Sequence, residues 1–148
     1  STVLEPVVNE LQKLSSMKNV DRKVLIVYSD LMDNTAWMSF YRRTDKRRLY
    51  AHSPRLVQQF ATKLSNTKLD SSISMHVIYQ PRDVYDNLRY KHLRWLWSEV
   101  FSSHNISISF SANISDADLS LWVTEEKCGV SYLKYSRRCL CSPWNSWC

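Results

Sequence analysis

Glycine is almost absent from this chain of 148 residues, which contains only Gly129. Loops that hold nucleotide phosphates use several glycines, because only glycine lets the backbone approach a phosphate closely. The G-x-S-x-G turn that presents the serine of an α/β-hydrolase needs two. The sequence therefore excludes a Walker loop, a dinucleotide-binding fingerprint and a hydrolase of that type.

Long apolar runs are missing as well. No apolar segment approaches the roughly 20 residues that a membrane-spanning helix requires. Residues 1–14 also lack the cationic start and apolar run of a signal peptide. Hydrophobic residues nevertheless make up 44% of the chain, which is enough to form the core of one globular domain. We therefore expect a folded domain with no membrane span in this chain.

The apolar residues follow helical and strand periods in alternation. Helical spacing occurs in residues 3–14, in a segment that starts at Ser53 and Pro54, and in a segment capped by Asp83 or Asp86. Strand patterns occur in residues 24–28 (VLIVY), 72–79 (SISMHVIY) and 106–110 (ISISF). This alternation predicts an α/β fold with a doubly wound, mostly parallel sheet and helices on both faces.

Polar residues follow the predicted strands at the edge where an open parallel sheet binds its ligands. They are Ser29, Asp30, Asp33 and Asn34 after the first strand, and Arg82 and Asp83 after the second. The carboxylates of Asp30 and Asp33 are ligands suited to Mg²⁺, and the other four residues are candidates for contact with a partner. In the competing interpretation both aspartates accept backbone N–H groups of the turn.

Basic residues are concentrated in YRRTDKRR, residues 41–48, within a long connection that we expect to be a loop. The chain has a net charge of +6, which is compatible with an acidic partner. The candidate binding residues of this basic loop are Arg42, Arg43, Arg47 and Arg48. They would contact a protein or a nucleic acid, and the structural alternative is an ordinary solvated surface.

All four cysteines lie in residues 116–148, a Cys- and Trp-rich extension that we separate from a domain formed by residues 1–115. The cysteines are Cys128, Cys139, Cys141 and Cys148. Their C-x10-C-x-C-x6-C spacing does not match the paired C-x2-C of common zinc modules. Two interpretations remain open. The cysteines either form two disulfides, for which three pairings exist, or are reduced and buried.

Several stretches resemble the C-terminal half of a von Willebrand factor A-type (vWA) domain: KVLIVYSD, MHVIYQP, and RYKHLRWLWSEVF leading into ISISFSANI. The text SDLMDNTAWMSFY is similar to vWA-like proteins of bacterial envelope and mobile-element contexts. The resemblance implies a vWA-like fold whose first strand would lie before Ser1, a binding function, and a location in the bacterial cell envelope or periplasm. It also matches Asp30 to one aspartate of the family's metal-ion-dependent adhesion site. The family's DxSxS motif is absent, and Leu31 stands where the family has glycine.

Together these patterns predict a protein-binding or assembly module that uses its strand-end loops, with Mg²⁺ as the candidate cofactor. The alternative is a metal-assisted nuclease or nucleic-acid-binding protein that uses residues 42–48. No catalytic residue stands out, so we expect a binding protein rather than an enzyme. His76 lies within a predicted strand, and we expect a hydrogen-bonded interior residue there rather than a metal ligand.

Overall fold

The computed structural model describes residues 2–79 and 83–112, together with the backbone of residues 128–135. Helices are interspersed with the strands of a parallel sheet, which confirms the predicted α/β class. The elements are α1 (Leu4–Ser16), β1 (Arg22–Ser29), α2 (Arg43–Tyr50), α3 (Pro54–Leu64), β2 (Ile73–Ile78), α4 (Val84–Ser102), β3 (Ser107–Ser111) and β4 (Cys128–Tyr135). Within these ranges no helix is both long enough and apolar enough to cross a bilayer.

The four strands form one parallel sheet in the order β3-β2-β1-β4. β1 pairs with β2 on one side and with β4 on the other. Its central position explains its unbroken apolar run, because both faces of a central parallel strand are covered. The strand order reverses between β1 and β4, and open parallel sheets have their ligand crevice at the carboxyl ends of the strands beside such a reversal.

The main core lies on one face of this sheet. Alternate strand residues face it, because successive side chains of a strand point to opposite faces. These are Leu25 and Val27 of β1 and Ile73, Met75 and Val77 of β2. The helices add the other large members, including Leu11 of α1, Phe60 of α3 and Trp97 of α4.

A smaller apolar cluster lies on the opposite face of the sheet. It consists of Val24, Ile26 and Ile78, with Tyr28 packed against them. In the described ranges it contains no helical residue, so the described helices cover one face of the sheet. The parallel sheet is thus shown, whereas helices on both faces remain a prediction.

Residues 42–48 were predicted to be a loop, and this prediction is wrong because residues 43–50 form helix α2. The segment has little apolar content, and only Leu49 and Asp45 are buried. The Asp45 carboxylate accepts the backbone N–H of Ser39 at 3.0 Å and lies 3.6 Å from the Arg48 guanidinium. This buried carboxylate attaches α2 to the preceding loop. The periodicity of apolar residues in α2 does not reveal such a contact.

The predicted helix starts agree with the structure. Pro54 occupies the first turn of α3 after an extended Ser53, because the fixed φ of proline suits that position. At the start of α4 the Asp83 side chain accepts the N–H of Asp86 at 2.8 Å. Asp83, rather than Asp86, is therefore the cap of α4.

Part of the predicted extension belongs to the sheet, because β4 falls within residues 116–148 and pairs along β1. The disulfide candidates Cys139, Cys141 and Cys148 lie outside the described residues. Cys128 begins β4, where only the backbone is described.

Candidate functional site

The strand-end loop, which we define as residues 29–42 between β1 and α2, begins with a tight turn. The Ser29 hydroxyl oxygen accepts the backbone N–H of Leu31 at 3.0 Å, and Asp30 Oδ1 accepts that of Met32 at 3.0 Å. Leu31 has a φ of 55°, in the left-handed region that is uncommon for leucine. Ser29 and Asp30 therefore stabilise a backbone conformation that Leu31 alone disfavours.

Asp33 is fully buried and caps a helix from outside it. Its Oδ1 accepts the backbone N–H of Val3 at 2.9 Å, and its Oδ2 accepts that of Leu4 at 3.1 Å. Both donors lie at the start of α1, where Val3 makes no side-chain cap of its own. The first N–H groups of a helix have no partner within the helix, so Asp33 satisfies two of them at once.

The charge state of Asp33 is set by two opposing effects. Burial raises the pKa of the carboxyl group, because an ionised group loses hydration inside a protein. The two N–H bonds from Val3 and Leu4 lower this pKa but offset only part of the rise. The pKa of Asp33 therefore lies above its ordinary value of 3.8.

Hydrogen bonds engage three of the four carboxylate oxygens of Asp30 and Asp33, and the Mg²⁺ site that the vWA resemblance implies stays a prediction. Both oxygens of Asp33 already accept hydrogen bonds from α1, and one oxygen of Asp30 accepts a bond within its turn. A hard divalent cation takes about six oxygen ligands, and for Mg²⁺ several of these are usually waters. In residues 2–79 and 83–112, no three side chains of His, Cys, Asp or Glu come together as a metal site. The competing interpretation, acceptance of N–H groups of the turn, is confirmed for Asp30, whereas Asp33 accepts its N–H groups from the start of α1.

The rest of the strand-end loop is held by side chains that were predicted to bind a partner. Asn34 Oδ1 accepts a hydrogen bond from the Ser39 hydroxyl at 2.7 Å. Arg42 Nη2 donates to the carbonyl oxygens of Thr35 at 2.8 Å and Ala36 at 3.0 Å. Asn34 and Arg42 therefore give the loop a defined shape, although both residues are exposed.

The other described binding candidates lie on helices or at a helix start rather than in this loop. Arg43 and Arg47 are exposed on α2, whereas Arg48 is half-buried beside Asp45 and also bonds to Gln59. Asp83 caps α4, as described above. Arg82 lies outside the described residues. Among the described residues the predicted set thus divides into a strand-end group, a helix cap and a group on α2.

A cavity of about 410 Å³ lies beside Asp33, between the first turns of α1, the strand-end loop and the end of α3. Its apolar walls include Leu4, Val8 and Trp37, and its charged side chains include Glu5 and Lys63. Lys63 Nζ lies 5.1 Å from the centre of the Trp37 ring, and this ring packs edge-on against Phe60 at 5.2 Å. Apolar walls with a few polar groups are typical of a binding cavity.

Sequence reasoning missed Trp37 and Lys63 as cavity residues. The only local signal is a tryptophan in a polar segment, where a large apolar side chain needs some surface to pack against. Lys63 carries no signal at all, because exposed lysines near a helix end are common. The cavity is lined by residues of α1, the strand-end loop and α3, which come together only in the folded chain.

The interior role expected for His76 is confirmed. His76 is buried in β2, with Nδ1 at 2.5 Å from the Ser109 hydroxyl and Nε2 at 2.8 Å from the Ser111 hydroxyl. Burial lowers the pKa of its imidazole below 6.5. Both ring nitrogens of His76 therefore have hydrogen-bond partners on the neighbouring strand β3.

Chemically, the strand-end loop and its cavity offer a preformed recess with mixed charge. The Asp33 carboxylate is occupied by α1, and the other side chains that line the cavity include Trp37, Lys63 and Glu5. An apolar recess with charged groups at its side is suited to binding a partner group of mixed character.

Comparisons of the chain with family models, with curated proteins and with solved structures return no match.

Proposed function

We propose that the chain is a protein-binding module that contacts its partner at the carboxyl-end edge of the sheet. The observation that carries this proposal is the cavity of about 410 Å³ beside Asp33. Its wall of Leu4, Val8 and Trp37 suits one apolar or aromatic side chain of a partner. A buried anchor side chain in such a recess commonly supplies much of the binding energy of a protein interface.

Charged residues that line the cavity would fix the direction in which the partner segment binds. Glu5 and Lys63 carry opposite charges and line the same cavity. A partner segment with a complementary pair of charges would bind in one direction only, because the reversed direction would place like charges together. The stack of Lys63 over Trp37 also holds the lysine close to the site.

An exposed apolar surface at the start of α4 supports protein contact at this edge. α4 follows the carboxyl end of β2, so its first turn lies at the same edge of the sheet as the strand-end loop. Val84 is 82% exposed, Tyr85 79% and Leu88 50%. Leu88 lies four positions after Val84 and three after Tyr85, so the three side chains form a continuous helix surface. Contiguous exposed apolar surfaces are typical of protein contact sites.

In this proposal Ser29, Asp30 and Asp33 shape the loop, and no cation is required. The vWA resemblance supports a binding role at this edge, and Leu31 adopts the left-handed φ that suits the glycine found there in the family. The location in a bacterial cell envelope rests on that resemblance alone. In the alternative function, a metal-assisted nuclease, Asp30 and Asp33 would have to bind a metal in addition to accepting backbone hydrogen bonds.

Site-specific photo-crosslinking tests the proposal. Benzoylphenylalanine is placed at Trp37 or at Tyr85, and the protein is irradiated in an extract of the cells that produce it. We expect both positions to give the same crosslinked partner. The matched control is Met17, which is 43% exposed and follows α1 at the opposite edge of the sheet. No crosslink at either test position, or an equal yield at Met17, would refute binding at this edge.

A further inference from the structure

Four rings form a group on the surface where α2 and α4 meet, which we call the ring cluster: Tyr50, His52, His92 and Trp95. His52 lies parallel to Trp95, with 4.1 Å between ring centres and 12° between ring planes. His52 Nε2 lies 2.9 Å from His92 Nδ1, and the Tyr50 ring lies 4.6 Å from the His92 ring. Tyr50 and His52 are exposed, whereas His92 and Trp95 are half-buried.

The cluster is fixed by its own contacts. His52 has a φ of 51°, an uncommon conformation outside glycine, although histidine is among the residues enriched there. The stack on Trp95 and the imidazole–imidazole hydrogen bond hold it in this position. Burial, followed by the nearby His52, lowers the pKa of His92, so that ring favours its neutral form. The result is a rigid platform with exposed ring surface.

Exposed basic residues flank the ring cluster. Arg43 and Arg47 lie one helical turn apart on α2, and Tyr50 follows three positions later on the same side of the helix. Lys91 is exposed on α4 beside His92. Arg43 and Arg47 therefore share one side of α2 with Tyr50, and Lys91 adds a third exposed cation next to His92 in the sequence.

The acidic residue of α2 does not neutralise these cations. Asp45 is buried and faces Arg42 at 3.9 Å and Arg48 at 3.6 Å, so its charge is directed at two other arginines. Glu99, exposed one turn after Trp95, limits the basic surface at the far end of α4. The basic character is thus concentrated between α2 and the middle of α4.

We propose that the ring cluster and its flanking cations bind single-stranded nucleic acid. Planar rings at a surface provide faces on which unpaired bases stack, and this interaction tolerates any base. Arg43, Arg47 and Lys91 would contact the phosphates, and the net charge of +6 would favour encounter with a polyanion. An acidic peptide would use the cations but has no need of a stacked platform, so the combination favours nucleic acid. This surface and activity are separate from the proposed protein-binding cavity.

Fluorescence anisotropy with labelled 20-nucleotide poly-dT and poly-rU, at about 50 and 200 mM salt, tests this proposal. His52→Asn removes the stacking ring, and asparagine tolerates the left-handed φ of this position. We expect it to weaken binding about fivefold to hundredfold. The double variant Arg43→Ala/Arg47→Ala should reduce the slope of log affinity against log salt concentration by about 1.4, which corresponds to two lost phosphate contacts on a single strand.

The matched control is Lys18→Ala/Lys68→Ala, which removes the same charge from exposed residues preceding β1 and β2. It should leave the affinity and the salt dependence close to those of the unmodified protein. Circular dichroism melts establish that all variants are folded. The proposal is overturned if neither oligonucleotide binds at the lower salt concentration, or if both double variants lose affinity equally. It is also overturned if poly-glutamate displaces the oligonucleotide at equal charge while His52→Asn leaves the oligonucleotide affinity unchanged. That result would assign the surface to an acidic protein.

Discussion

Substitution of Asp33 by alanine tests the central structural link of the candidate site. The change removes the two oxygens that accept N–H groups from Val3 and Leu4. Both donors lie in a buried part of α1 and would lose their partners together. The substitution therefore affects the helix start, the strand-end loop and the cavity wall at the same time.

The magnitude follows from these lost bonds. A buried N–H group left without an acceptor costs about 1 to 3 kcal/mol. Loss of a helix cap costs about 0.5 to 2 kcal/mol, and the two estimates overlap because they describe the same groups. Removal of a buried carboxylate returns part of this cost, because its dehydration is relieved. We expect Asp33→Ala to lower the free energy of unfolding by about 2 to 4 kcal/mol.

Urea denaturation followed by circular dichroism measures this loss at neutral pH. Asp30→Ala is the matched control, because Asp30 lies in the same loop but is half-buried and accepts one N–H, from Met32. It should cost about 1 kcal/mol or less. If Asp33→Ala costs no more than Asp30→Ala, the helix cap assigned to Asp33 contributes little, and the reasoning fails.

The charge state of Asp33 can be checked by measuring how the free energy of unfolding of the unmodified protein and of Asp33→Ala depends on pH. The pKa of Asp33 is raised in the folded protein, so the folded state binds a proton more tightly than the unfolded state does. As the pH falls from neutral through this raised pKa towards 3.8, the stability advantage of the unmodified protein over Asp33→Ala should increase. An advantage that shrinks over this range would show that the two N–H bonds outweigh burial.

Two further predictions concern other titrating groups. The hydrogen bond from Lys23, whose Nζ lies 2.6 Å from Asp70 Oδ2, lowers the pKa of Asp70 to about 2. The stability that the ionised Asp70 contributes should therefore be present above pH 3.8 and disappear towards pH 2. In urea denaturation, the difference in unfolding free energy between the unmodified protein and Asp70→Asn should vanish at this low pH. Burial lowers the pKa of His76 below 6.5, so stability should fall as the pH drops from 6.5 through that folded-state pKa. His76→Gln should show a smaller acid-dependent fall in melting temperature, and identical pH profiles would contradict this assignment.

The parts of the fold that could be predicted from sequence are those encoded by local periodicity. The unbroken run in β1 indicated a central parallel strand, and the three- and four-residue spacing in α1 indicated an amphipathic helix. α2 could not be predicted in this way. Its anchors are Leu49 and the buried Asp45, whose carboxylate bonds to Ser39 six residues earlier in the loop. A burial that depends on the tertiary structure leaves no periodic signal.

The position of the candidate site was easier to predict than the role of its residues. Asp30 and Asp33 were placed after β1 because parallel strands end at a common edge. Asp30 accepts an N–H group of its own turn, which a local pattern can predict. The role of Asp33 depends instead on where the start of α1 lies, about 30 residues away in sequence. The Trp37 and Lys63 cavity likewise requires α1 and α3 to be packed. Such contacts between distant segments have no local pattern.

The bonds from Val3 and Leu4 to Asp33 also affect how the protein should be handled in binding experiments. Deletion of Val3 and Leu4 would leave the Asp33 carboxylate buried without its donors, an arrangement that is strongly destabilising. An affinity tag fused close to Val3 could disturb the same bonds, and with them the wall of the cavity. Binding assays with tagged protein should therefore separate the tag from Val3 by a flexible linker and compare the result with untagged protein.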